Sequence, residues 1–78
     1  MTEAQLAAYE QLNTEHERAR FLLAIGITAA PDKDESGLCY RASVGDIRLP
    51  VTGATKLSAI ERATAWLKEK AGMAGQGV

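Results

Sequence analysis

The sequence predicts an α+β fold, a two-layer sandwich of order α-β-β-β-α with a three-stranded antiparallel meander against the helices. Three observations point to it. Apolar residues recur at spacings of three and four near both ends of the chain. Between them, two runs alternate apolar and polar residues, as half-buried strands do. A Gly45-Asp46 pair joins those runs and marks a hairpin.

The first helix spans about residues 3–18. Thr2 caps it, and Gln5 completes a capping box. Leu6, Tyr9, Leu12, His16 and Ala19 form its stripe. Thr14-Glu15-His16-Glu17 repeats the capping pattern, so the alternative is a break near Asn13. Residues 20–28 fit two patterns. A helix would extend the stripe through Leu23, whereas a strand would align Phe21, Leu23, Ile25 and Ile27. The isoleucines and Thr28 favour a strand, and Gly26 costs a helix interior about 1 kcal/mol. A strand over 21–29 is therefore expected; its helical alternative leaves an α-β-β-α order.

Pro31 to Gly37 reads as a polar loop, because turn formers and charges fill it. Leu38, Tyr40, Ala42 and Val44 then alternate with Cys39, Arg41 and Ser43, and Ile47, Leu49 and Val51 with Arg48 and Pro50. Gly45 supplies the positive φ of a type II′ turn. Pro50 donates nothing to a ladder, so its strand belongs at an edge or ends there. Thr55 or Ser58 caps the last helix, whose stripe is Leu57, Ile60, Ala63, Trp66, Leu67 and Ala71. Lys68 and Lys70 suit its C-terminal dipole, and Gly72 stops it. Tyr9, Phe21, Tyr40 and Trp66 are expected to fill the core between helix and sheet.

Seventy-eight residues make one domain, taken as 1–72, followed by a Gly-rich tail over 73–78. With 46% hydrophobic and 24% charged residues, the chain has the balance of a globular domain and not of a disordered one. Its apolar runs fall far short of the roughly 18 residues of a membrane span. Met1-Thr2-Glu3-Ala4 has no basic, apolar leader, and one cysteine closes no internal disulfide, so a cytoplasmic location is expected. Net charge is -1 but divided, with -4 on residues 1–37 and +3 on 38–78. That polarity orients a charged partner or lets the two ends complement each other.

Gly53-Ala54-Thr55 followed by Ala59, Ala63 and Leu67 resembles the strand-to-helix turn of HicB-type antitoxins. The likeness, with that of the hairpin before it, covers about residues 20–68. It departs at Val44-Gly45-Asp46-Ile47, where that family has a Pro-Asp-Leu-Pro-Gly-Cys turn. The same region is similar to the end of a double-stranded-RNA-binding domain, which implies the α-β-β-β-α order and lysines at the helix start that clamp phosphates. Only Lys56 matches; Leu57 and Ile60 stand where the other lysines would be. Asp32-Lys33-Asp34-Glu35 occupies the loop that touches the minor groove in that family, and its acids repel phosphate.

No catalytic or metal-ligand spacing appears. His16 has only Glu15 and Glu17 beside it, and these do not share its helix face. Cys39 is a lone strand thiol without a base placed to activate it. Asp32, Asp34 and Glu35 lack the twelve-residue calcium pattern and read as a solvated loop or an acidic contact surface. Arg41, Arg48, Lys56 and Arg62 read as solubilising charge or as one basic patch on the hairpin and last helix. Without interleaved aromatics, that patch is a thin nucleic-acid signal.

The sequence thus points to a non-enzymatic protein, without cofactors, that docks on a larger protein or nucleoprotein complex. Inhibition of that complex, in the manner of a phage-encoded anti-CRISPR, suits so small a domain by analogy of type. The residues expected at the interface are Asp32, Asp34, Glu35, Arg41, Arg48, Lys56 and Arg62. An antitoxin-like or double-stranded-RNA-binding module is the alternative, and a monomer or weak dimer is expected.

Overall fold

The computed structural model describes residues 1–72; the tail at 73–78 lies outside the described residues. The order is α1 (Glu3–Glu10), α2 (Glu15–Ile25), β1 (Thr28–Asp34), β2 (Gly37–Val44), β3 (Ile47–Gly53) and α3 (Lys56–Lys70). The strands form one antiparallel meander, β1-β2-β3, with β2 in the centre. The α+β class and the three-stranded sheet are as the sequence predicts.

The first helix is two helices. Thr2 and Gln5 make both hydrogen bonds of the predicted capping box at α1. The alternative break then occurs, because Thr14 caps α2 by accepting from the Glu17 amide at 3.1 Å. Arg18 Nε donates to the Leu12 carbonyl at 3.1 Å and ties the connection down.

The expected strand over 21–29 is wrong in its first half. Phe21–Ile25 completes α2, which ends at Gly26. Tertiary packing decides this: helical spacing buries Ala19 and Leu22 against α3, a gain that alternation would forfeit. The strand instead begins at Thr28 and runs through the expected polar loop to Asp34, leaving only Glu35-Ser36 as the turn. An edge strand needs backbone pairing rather than an apolar face. Pairing from Thr28 with Ser43 to Asp34 with Gly37 supplies it.

The hairpin of β2 and β3 is as predicted, with Gly45 at φ +58° in the turn. Register shifts once. Ser43 faces Arg48, but Arg41 faces Thr52, so Leu49-Pro50-Val51 stands opposite Ala42. Pro50 lies at an edge as expected, and Pro31 lies on the other edge strand. Each edge thus carries a residue without an N–H, which blunts pairing with other chains.

Ala42, Val44, Leu49 and Val51 form the buried face of the sheet. Against it lie Ala19 and Leu22 of α2 and Ala63 and Leu67 of α3, with Ala71 just past the helix end. Thr55 caps α3, accepting from the Ser58 amide at 3.0 Å. Two expected core residues are not buried: Leu57 is 65% exposed and Leu38 is 82% exposed. Leu57 sits in the first turn of α3, off the Ala59-Ala63-Leu67 stripe. The aromatics do not fill the core either. Tyr9 and Trp66 are half-buried around it, Tyr40 is half-buried on β2, and the Phe21 ring lies tilted against that of Tyr9 with centroids 6.0 Å apart. Alanines let helix and sheet approach too closely for rings between them.

Candidate functional site

Alternation along the strands sorts the site residues by face. Ala42, Val44, Leu49 and Val51 point toward the helices, so Arg41 and Arg48 point away, onto the uncovered face of the sheet. Asp32 of β1 pairs with Cys39 and reaches the same face. There Arg41 Nε and Arg48 Nη2 both donate to Asp32 Oδ2, each at 2.6 Å. Asp32 Oδ1 accepts from the Lys33 amide at 2.8 Å. One carboxylate thus joins all three strands.

Arg41 has a further task. Its Nη1 donates to the Leu49 carbonyl at 3.1 Å, inside the register shift that contains Pro50. The guanidinium satisfies a backbone acceptor where the ladder is interrupted. Its side chain is 26% exposed, whereas that of Arg48 is 67% exposed. Arg41 is the fixed member of the array, and Arg48 is the one presented to solvent.

The electrostatics follow from these contacts. The Arg41 hydrogen bond is the main cause that holds Asp32 down at about 2, with the Lys33 amide and the Arg48 charge adding to it. The same bond from Asp32 raises Arg41. Ser36 donates through its hydroxyl at 2.7 Å and its amide at 2.8 Å to Asp34 Oδ1, which lowers Asp34 as well. Asp34 is therefore bound into the β1–β2 turn, and both it and Glu35 are exposed. Partial burial, followed by the negative charge of Asp34, pushes the Cys39 thiol above its usual range. That is the opposite of what a nucleophilic cysteine needs.

The expected basic patch is divided by the fold. Arg41 and Arg48 converge as a pair across the hairpin, but an acid from the supposed loop is bound between them. Lys56 and Arg62 are exposed on α3, in the other layer. His16, exposed on α2, is also in the helical layer, apart from Cys39 on the open sheet face. Among the described residues, no group of three or more His, Cys, Asp or Glu is arranged to hold a metal, and no helix is long and apolar enough to cross a membrane.

Sequence reasoning missed the Asp32 bridge and a second set of residues on the helical side. Lys70 Nζ lies 5.1 Å from the centre of the Trp66 ring and 2.8 Å from Glu15 Oε1. Arg18 Cζ lies 5.7 Å from the centre of the Tyr9 ring. The spacing of Trp66 and Lys70 by four on one helix was the available signal. No known protein family, curated protein or solved structure matches the chain.

Proposed function

We propose that this is a non-enzymatic docking protein. It binds a larger protein or nucleoprotein complex through the uncovered face of its sheet and blocks that complex, as an inhibitor of the anti-CRISPR type would. The supporting observation is the Arg41–Asp32–Arg48 array, fixed at the centre of a face that no helix covers. Within the array two guanidiniums meet one carboxylate, and Arg48 is the cation it presents to solvent; Asp34, two residues along β1 on the same face, is close enough to act on Arg41. A carboxylate on a partner protein is the natural complement of Arg48. A standard interface takes about 800 Å² per partner, roughly 15% of the 5287 Å² this chain exposes. One face is therefore enough.

The order of elements after α1, with its three-stranded sheet, favours a second reading as a double-stranded-RNA-binding or antitoxin-like module. Lys56, exposed at the start of α3, fits it, whereas Asp34 and Glu35 at the β1–β2 turn oppose it.

Two measurements separate them. Tagged protein is used to capture its partner from host lysate, and the recovered complex is assayed for activity with and without the protein. Arg48→Ala should weaken capture and inhibition together. Fluorescence anisotropy with a duplex RNA of about 16 base pairs should show no binding. Tight RNA binding that falls steeply with salt and is lost in Lys56→Ala would replace the first reading with the second.

A further inference from the structure

Among the described residues, Leu38 and Leu57 are the large apolar side chains that the fold leaves exposed, at 82% and 65%. Strand length explains Leu38. β3 ends at Gly53, opposite Tyr40, so Leu38 lies beyond the last residue of that neighbour. It shares the helix-facing side of β2 with Tyr40, Ala42 and Val44. Yet α3 begins only beside Gly53, where a Cβ would stand 2.6 Å from the Ala59 amide nitrogen. Its later residues Ala63 and Leu67 join Ala42 and Val44 in the core, toward the other end of the strand, and Leu38 stays uncovered. Leu57 is in that first turn of α3, three residues before half-buried Ile60 and on the same side of the helix. Single leucines scattered over a surface are ordinary; two at one end of a small sheet, with Tyr40 and Ile60 behind them, make an apolar shelf that marks a contact surface.

The charges around the shelf select what covers it. Lys33 is the cross-strand partner of Leu38 and shares its face. Glu61 lies four residues after Leu57, on the same side of α3. Glu35 precedes Leu38 in the β1–β2 turn, and Lys56 precedes Leu57. All four are exposed, and none belongs to an ion pair among the described residues. Their charges sum to zero, so no net field draws a partner of one sign. Their arrangement is self-complementary instead. A two-fold contact that lays Leu38 on Leu57 of a second copy brings Lys33 to Glu61 and Glu35 to Lys56, and each pairing occurs twice.

We infer that this shelf joins two copies of the chain in a weak symmetric dimer. The leucines form its centre and the charge pairs its rim. Arg41, Asp32 and Arg48 lie on the opposite side of the sheet from Leu38, so the docking face stays open in the dimer.

Sedimentation equilibrium measures the association. The weight-average mass should rise with concentration from 8.3 kDa toward twice that value, with a dissociation constant below about 1 mM. Leu38→Glu and Leu57→Glu should each weaken the dimer at least about tenfold. Both variants should melt within about 4 °C of the wild type, because these side chains are already exposed in the single chain. Lys33→Glu alone and Glu61→Lys alone should each weaken self-association about threefold to tenfold. Mixed together, those two variants should form a heterodimer as tight as the wild type, since both contacts between the two positions are again opposite in sign. Recovery on mixing cannot come from misfolding.

A mass of 8.3 kDa at every concentration up to that limit would overturn the inference. So would a dimer indifferent to both leucine substitutions, or a mixture that associates no better than its components. A monomeric protein that loses its captured partner on Leu57→Glu would overturn it as well, by giving the shelf to that partner. The sheet-face reading is tested separately by Arg48→Ala and stands if the dimer fails.

Discussion

Replacing Gly53 with alanine tests how the sheet and α3 are fitted together. Gly53 ends β3, and its backbone does not have the positive φ that would by itself demand glycine. The constraint is distance. A Cβ there would stand 2.6 Å from the Ala59 amide nitrogen, 2.9 Å from Ala59 Cα and 2.9 Å from Ser58 Oγ. The nearest atoms belong to the helix backbone, so no rotamer change relieves the clash. The start of α3 must retreat by about 0.8 Å to restore ordinary contact. Overpacking of this kind costs about 1–3 kcal/mol. Restricting the unfolded chain by a Gly→Ala change returns about 0.4–1 kcal/mol. The net loss is then roughly 1–2 kcal/mol. A chain of this length has about 4–12 kcal/mol of stability in total, and each kcal/mol moves Tm by about 4–8 °C. Gly53→Ala should therefore melt about 5–15 °C lower, with a lower urea midpoint and an unchanged m-value. Circular dichroism melts and urea titration measure both. An unchanged or raised Tm would refute the close approach of β3 and α3.

The Asp32 bridge makes a pH prediction. Its folded pKa, about 2, lies below the ordinary 3.8, so the bridge stabilises the fold above the higher value and is lost as pH falls through the lower one. Urea titrations of the wild type and Asp32→Asn should differ at pH 6 and converge between about pH 4 and pH 2; a constant difference across that range would count against the bridge. Cys39, half-buried with its thiol raised by burial and by Asp34, should react slowly with iodoacetamide at pH 8 and faster in urea. A native rate equal to that of a free cysteine peptide would contradict that environment.

Local chemistry wrote much of the fold into the sequence. Thr2, Thr14 and Thr55 each signalled a helix start within three residues of the amide they cap. The β2–β3 hairpin was legible because alternation and Gly45 act over adjacent positions. Pro50 announced an edge by the donor it lacks. Tertiary structure decided the rest. Phe21–Ile25 fits either period, and only burial of Ala19 and Leu22 against α3 makes it helix. Residues 31–34 carry loop chemistry, yet they form a strand because β2 offers them a ladder. The site depended on the same distant pairing. Asp32 meets Arg41 and Arg48 across separations of 9 and 16 residues. Charge counting saw an acidic loop and a basic patch, because composition records what charges a chain has, and only strand register determines which of them neutralise one another.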